Sequence, residues 1–544
     1  MTYCFFYRGA LTSKPYSFAA RPWELKSVES VDFFDSTGSS IKFDTRGDKI
    51  LRVLPRINEN INEEWISDRI RFSVDGFRVQ RIDRPFVQFD KVFHSLSWSK
   101  FVNLIHKSIL LFYKSVFLKG LALLSNSYTS TFFSFPFQVK DTGPFVDFET
   151  SVWLNFFENA FFLKKKRFGS KTAFLNFRSD FLIPTWLKDL FRVKNLLLIS
   201  INPRFEAPVF NIRLRQSVIK FGNNVSSFGQ RFFSNFNLLV NAGILSLVNF
   251  LNGNHWLCSY FTSKNSLILS NSSFANSINF FFFNSFINKQ GLVGVFNRYS
   301  SYINLSESGV FVDTTDKDRL YRLGLFIGGS SKVDFSYYST NVNLVSTSHG
   351  FKQLSNFDFI LPSSAPFERN STFINLEGRL QLSRIVLNSP NNVLDLKDSL
   401  IILITLFFND NYNKELIYKL SIFLVGGVWA QFFLRKNQRS LWIFINKLLN
   451  SFGISKSSFI KGFYSSVLEY VSYLSVREKS LYLDKGNYCD FVIGKQQDEF
   501  LFINKNSSCC FESPDDFYVQ DEIGFSSPTM LAASERMGVF YKTY

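Results

Sequence analysis

Sulfur and imidazole are sparse in this 544-residue chain: cysteines stand at 4, 258, 489, 509 and 510, histidines at 94, 106, 255 and 349. Zinc and dithiol redox sites use Cys-x-x-Cys pairs, and none occurs. No two histidines have ligand spacing, so each reads as a core residue. The odd, scattered cysteine set points to a reducing compartment and away from a disulfide framework. Three polar constellations remain. In "NPRFEAPVFNIRLRQS" (202–217), Arg204 and Glu206 follow an apolar run, where α/β folds bind ligands, and Arg213 and Arg215 follow on a helix. They form either a ligand clamp or an ion pair that locks the loop to a sheet. Gly328-Gly329 after a strand could approach a phosphate, but neither the Gly-x-Gly-x-x-Gly nor the Walker pattern is complete, and a tight turn explains the pair. Glu377 and Arg379 bind something or close a hairpin. No nucleophile–base pair, carboxylate dyad or metal cluster emerges.

The elements that would position these residues are of α/β type. "NLLLIS" near 195, "YRLGLFIGGSS" (321–331) and "FDFILPSSAPFE" (357–368) are short apolar runs ending in small-residue loops. That texture marks strands buried on both faces of a parallel sheet, and hence a doubly wound body over 86–395. Ahead of it, 25–85 reads as a small β-rich domain. "VESVDFFDSTGSSIKF" (28–43) is two strands around a Ser-Thr-Gly-Ser turn, "KILRVLP" is a third, and a short helix follows in "NINEEWISDRIRFSVDGF". "STFINLEGRLQLS" (371–383) reads as a hairpin. Helical spacing appears at 98–117 and 236–252, the latter inside a divergent Asn/Ser/Phe-rich stretch, 222–310. Residues 396–484 read as mainly helical, 485–544 as an irregular tail, and 1–24 as an extended interface arm.

The chain holds 69 phenylalanines and a net charge of +17. Both excesses spread over cores and loops alike, which fits an A+T-rich genome, organellar in origin, better than an aromatic or nucleic-acid-binding surface. No stretch reaches the ~18 uninterrupted apolar residues of a spanning helix. The N-terminus has neither a signal-peptide pattern nor an Arg-rich amphipathic one.

The segment 9–87, "GALTSKPYSFAARPWELKSVESVDFFDSTGSSIKF…RPFV", closely resembles the family of the large iron–sulfur subunit of mitochondrial NADH:ubiquinone oxidoreductase, respiratory complex I, where its molybdopterin-oxidoreductase-like region begins. "NPRFEAPVFNIRLRQS", "DFILPSSAPFERNSTFINLEGR" and "FSSPTMLAASERMG" resemble the same family in the same order. Between these blocks the resemblance fades.

The resemblance implies a molybdopterin-oxidoreductase-like α/β fold and a place in an oxidoreductase, NADH:ubiquinone reductase, with no catalytic residues on this chain. It implies a split-off C-terminal half whose cluster-bearing N-terminal half is a separate chain. Other peripheral-arm subunits would be further partners, without nucleic acid or a direct membrane span. The location would be the matrix side of the mitochondrial inner membrane. A cysteine that ligates a cluster precedes "GALTSKP" in the family. Here Phe6, Tyr7 and Arg8 occupy those positions; Cys4 either reaches the cluster from two residues earlier, or the partner chain carries its own fourth ligand. The wider molybdenum-enzyme relatives have four cysteines where Val31, Phe34, Gly38 and Ser67 stand. The expectation is therefore vacated ligand positions filled by Val31 and Phe34, with no cofactor bound by this chain and iron–sulfur clusters on the partner half. A free-standing molybdopterin-type oxidoreductase is the alternative.

Overall fold

The computed structural model describes residues 16–89, 92–105, 107, 137–142, 144–152, 154, 181–229, 234, 236, 238–241, 247, 249–250, 254–258, 266–272, 292–308, 323–328, 342–350, 352–390, 393–400 and 516–542. Cys4, the 1–15 arm and all of 401–515 lie outside them.

Three antiparallel strands open the described chain, β1 (Lys26–Val31), β2 (Ser40–Arg46) and β3 (Lys49–Pro55), in the order β1-β2-β3. The turn from β2 to β3 places Gly47 at φ 56°, a left-handed position that glycine takes without steric cost. Inward-facing Ile41, Phe43, Ile50 and Val53 meet Ile66 and Ile70 in one apolar cluster, which seats helix α1 (Asp68–Phe72) on the sheet. Asn62 acts as an interior hub: its Oδ1 accepts the Ser40 N–H at 3.0 Å while its Nδ2 lies 3.0–3.4 Å from four backbone carbonyls.

The body contains two sheets whose strands interleave along the chain. After β4 (Phe86–Phe89), β5 (Val92–Ser95) and β6 (Phe137–Thr142), a separate five-stranded sheet forms from β7 (Asn195–Ile199), β8 (Asn224–Phe228), β9 (Leu239–Asn241), β10 (Ser266–Asn271) and β11 (Leu292–Phe296). It is parallel, in the order β11-β10-β7-β8-β9, so the winding reverses between β7 and β10. The β7 sequence lacks alternation because both its faces are buried. Leu196 and Leu198 enter one apolar cluster, Leu197 and Ile199 another on the opposite face. Helices α2 (Pro203–Glu206) and α3 (Pro208–Phe221) follow, each opened by a proline in its first turn. Gly222, at φ 67°, ends α3 and donates its N–H to Val218 O at 3.0 Å.

The chain then forms helix α4 (Ser300–Ser308) and returns to the other sheet through β12 (Leu323–Ile327), β13 (Val342–Thr347) and β14 (Phe359–Pro362), in the order β5-β4-β14-β13-β12-β6. The pairs among β6, β12, β13 and β14 are parallel, and β4–β5 closes the edge antiparallel. The expected hairpin follows as β15 (Ser371–Ile374) and β16 (Leu380–Ser383).

Two expectations change. The stretch 236–252 is not one helix: strand β9 occupies its start and pairs with β8, with helical residues only at 247, 249 and 250 among those described. The terminal 485–544 is not an irregular tail, because helices α5 (Glu522–Ser526) and α6 (Pro528–Lys542) occupy much of 516–542. Asp521 caps α5 by accepting the Gly524 N–H at 2.8 Å, and Ile523 is fully buried in the cluster with Phe34 and Phe43. The helical expectation for 396–484 lies almost wholly outside the described residues.

Candidate functional site

The loop between β1 and β2 carries the expected positions. Val31 is buried at the end of β1. Phe34 is buried beside Phe33, and both rings meet Phe145 edge-on at centroid distances of 5.7 and 5.6 Å. Gly38 turns at φ 68°. Its space is closed, since an added Cβ would run into Gln381 Oε1. Ser67 caps α1, accepting the Arg69 N–H at 3.2 Å. Phe34 and the Ser67 helix start come together through Arg69, whose Nη1 donates to Phe34 O at 3.1 Å and whose guanidinium lies 5.4 Å from the Phe34 ring centroid.

The β15–β16 hairpin clamps this loop from outside. Leu376 N–H donates to Ser36 O at 2.8 Å, Gln381 Nε2 to Gly38 O at 2.9 Å, and Ser30 Oγ meets Ser383 Oγ at 2.9 Å. Within the hairpin, Arg379 pairs with Glu377 at 2.7 Å and stacks on Trp186 at 4.5 Å. The Glu377–Arg379 pair therefore closes a hairpin.

Beneath the loop lies a buried charge cluster. Arg69 Nη2 pairs with Asp521 Oδ2 at 2.6 Å, with both side chains 1 % exposed. Asp32 Oδ1 accepts the Phe34 N–H at 2.9 Å, and Asp35 Oδ1 the Thr37 N–H at 3.0 Å. Burial, then the neighbouring Asp35, pushes the Asp32 carboxyl well above the usual range. Burial raises Asp35 as well, against the Thr37 hydroxyl and Arg69. Asp32 Oδ2, Asp35 Oδ2 and Arg69 Nε are buried without a hydrogen-bond partner.

The carboxyl end of β7 holds the second group. Ser200 takes φ 56°, and Glu206 is buried with its Oε1 3.3 Å from the donating Asn202 N–H. Burial lifts its carboxyl to about 7 despite Arg298. Residues 517–520 lie against this end: Phe517 meets Phe205 at 6.2 Å, and Gln520 Oε1 accepts from Arg298 Nε at 3.2 Å. Arg213 belongs elsewhere. It pairs with Glu63 at 2.5 Å and donates to Ile61 O at 3.2 Å, tying α3 to the small domain.

Residues 81–395, more than half of the chain, match the family model described as molybdopterin oxidoreductase. This chain belongs to the molybdopterin oxidoreductase family. The residues before it, 25–75, match the model for the NADH-ubiquinone oxidoreductase NDSU1/NuoG-like 4Fe-4S domain. Among the relatives of this family member is the NADH-ubiquinone oxidoreductase 78 kDa subunit, mitochondrial, of Candida albicans, 32 % identical over 405 residues, 70 % of this chain and 52 % of the relative. The NADH-ubiquinone oxidoreductase 75 kDa subunit of Acanthamoeba castellanii is 32 % identical over 408 residues, covering 71 % of this chain and 56 % of the relative. The NADH-ubiquinone oxidoreductase 75 kDa subunit of Reclinomonas americana is 28 % identical over 418 residues, covering 71 % and 58 %. The chain spans little more than half the length of these relatives.

The expectation that no cofactor belongs to this chain is overturned. The match over 25–75 is to a 4Fe-4S domain, so an iron–sulfur cluster is indicated on the molybdopterin oxidoreductase family member itself. The side chains within 25–75 do not fit as its ligands. Clusters are held by cysteine thiolates, and this span contains no cysteine. Within the loop 32–39 the polar side chains are Asp32, Asp35, Ser36, Thr37 and Ser39, with Ser67 at the start of α1, and all of them offer oxygen. Among the described residues, no group of three or more His, Cys, Asp or Glu is placed to hold a metal ion.

The pterin implied by the family name does not fit the end of β7 either. An anionic, phosphate-bearing group binds where glycines expose backbone N–H groups. Here the turn reads Ser200-Ile201-Asn202-Pro203, with the buried Glu206 carboxyl beyond it.

Of the histidines, His349 is fully buried, His94 is exposed on the edge strand β5, and His255 is half-buried. The exposure of His94 corrects the core reading for that residue. Arg69, Asp521 and Glu522 were missed by spacing arguments because their partners lie hundreds of residues away. The available signal was local: an Asp immediately before an apolar helix start is an N-cap pattern.

Proposed function

We propose that this chain is a structural part of the peripheral NADH dehydrogenase module of respiratory complex I in mitochondria. It supports electron transfer from NADH to ubiquinone by holding and covering iron–sulfur carriers. The match of this chain to a NuoG-like 4Fe-4S domain over 25–75 and then to a molybdopterin oxidoreductase domain over 81–395, together with relatives named as NADH-ubiquinone oxidoreductase 75 and 78 kDa subunits, carries this reading. Burial and hydrogen bonding around a cluster set its potential, and tunnelling needs short, fixed gaps, so a rigid scaffold has direct functional weight. Its partners are other subunits of the module, among them the N-terminal half of the same subunit as a separate polypeptide, on the matrix side of the inner membrane, and the gene is organellar. None of its own residues is catalytic. Val31, Phe34, Gly38 and Ser67 serve packing, turn and capping roles.

The test is purification of the tagged chain from mitochondrial membranes, followed by mass spectrometry, metal analysis and NADH:quinone assays. The expected result is a large complex with iron and sulfide, whose NADH:quinone activity is lost on depletion of the chain. Isolation as a free oxidoreductase with stoichiometric molybdenum would overturn the proposal.

A further inference from the structure

Three polar contacts run in a row where the C-terminal segment meets the end of β13. His349 Nε2 lies 3.1 Å from Phe77 O, His349 Nδ1 2.8 Å from Ser348 Oγ, and Ser348 Oγ 2.7 Å from Glu522 Oε1. Ser348, His349 and Glu522 are all buried. Each contact requires one hydrogen, and the Phe77 carbonyl supplies none. A neutral imidazole brings one hydrogen and the serine hydroxyl one. With neutral His349 and ionised Glu522, two hydrogens would serve three contacts, and in either tautomer one pair of acceptors would face each other in the interior.

We infer that this row binds one additional proton, carried by the Glu522 carboxyl, and that the protonated row is a latch fastening the C-terminal segment to the body. Glu522 Oε1–H donates to Ser348, Ser348 donates to Nδ1 of neutral His349, and Nε2–H donates to Phe77 O. The other carboxyl oxygen, Oε2, accepts from the Ser348 N–H at 3.3 Å, and the single hydrogen of the Thr347 hydroxyl is shared between Oε2 and the His349 carbonyl 2.9 Å away.

The same count would be met by an imidazolium beside a carboxylate. The surroundings decide against it. The charged groups facing the row are Arg81 with its partner Glu368, and Asp521 with its partner Arg69. Arg81 Nη1 reaches the Ser348 carbonyl, which sets a cation beside the ring. Burial first, then Arg81, lowers His349 to about 3. Burial first and Asp521 raise Glu522, against the hydroxyl hydrogen bonds and Arg81. Deprotonation would place a second carboxylate next to Asp521 in the interior. That residue also holds Arg69 beneath the β1–β2 loop, so release at Glu522 loosens both attachments.

Hydrogen–deuterium exchange of the full-length protein tests the latch. A group raised in the folded state stabilises it below its unfolded pKa and loses that effect as pH rises through the folded value. After correction for intrinsic exchange rates, peptides covering 521–530 should lose protection with rising pH, approaching about tenfold per pH unit, the limit for one proton. Glu522→Gln reproduces the donor and acceptor pattern of the neutral acid. It should keep the neutral-pH protection and lose the slope. Glu522→Ala should lose protection already at neutral pH; a Gln variant that does the same, or that retains the wild-type slope, overturns the proposal. Histidine 15N shifts in the wild-type protein give a check independent of variant folding. His349 should be the neutral Nε2–H form with a hydrogen-bonded Nδ1 from about pH 5 to 8, and imidazolium or the Nδ1–H form overturns it.

Discussion

Arg69 is a cation with no access to water, so its energetics are set by what surrounds it. The Asp521 carboxylate and the Phe34 carbonyl satisfy part of it, and removing the guanidinium would strand a buried carboxylate. Breaking such a pair costs roughly 3–5 kcal/mol, whereas removing both charges is far milder. Arg69→Met should therefore lower the denaturation free energy of the full chain by that order, and Arg69→Met with Asp521→Asn should recover most of it. Glu206 gives a second expectation at this scale. Its carboxyl is raised from 4.5 to about 7, so its contribution is complete below about 4.5 and is lost as pH rises through about 7. At about 1.4 kcal/mol per unit the loss is ~3 kcal/mol. Glu206→Gln should flatten that part of a stability-versus-pH curve measured by chemical denaturation.

Elements in this molecule dock through backbone as much as through side chains. Gly76 follows α1 closely and lies flat against the end of α5. A Cβ there would sit 2.7 Å from Ile523 O and 2.9 Å from Ser527 Cβ. Ser526 Oγ donates to Gly76 O at 3.1 Å from the same side. Gly76→Ala should cost roughly 1–3 kcal/mol by overpacking, seen as a lower melting temperature with faster proteolysis of α5 and α6. The β15–β16 hairpin behaves similarly. Its shape was legible from "NLEGR", because a Gly between two strands marks a turn, and Gly378 takes φ 77°. Its target was not legible. Gln381 reaches Gly38 across 343 residues, a pairing that no local pattern encodes.

Over the whole molecule, the segment 516–542 joins parts that the chain order keeps apart. It supplies Asp521 to the small domain, Gln520 and Phe517 to the end of the first parallel sheet, and Glu522 to the second. Deleting 516–544 should expose Arg69 and its neighbours. Limited trypsin digestion, followed by mass spectrometry, should then cut near Arg69 and Arg71 at protease levels that spare the intact chain. The described part contains no helix long and apolar enough to cross a membrane.

The amino-acid sequence by itself determined the α/β class, the strands buried on both faces and the small β-rich start. These follow from short-range regularities: unbroken apolar runs, glycine turns, proline helix starts and capping residues. It also determined that 25–75 has no thiolate to offer, a fact of composition. Only the tertiary structure decided that Arg69 meets Asp521, that the β15–β16 turn clamps the β1–β2 loop, and that His349, Ser348 and Glu522 line up. Those contacts are fixed by the burial of charges and hydroxyls that must find partners once water is excluded, and the partners come from whichever distant segment the packed core brings within reach.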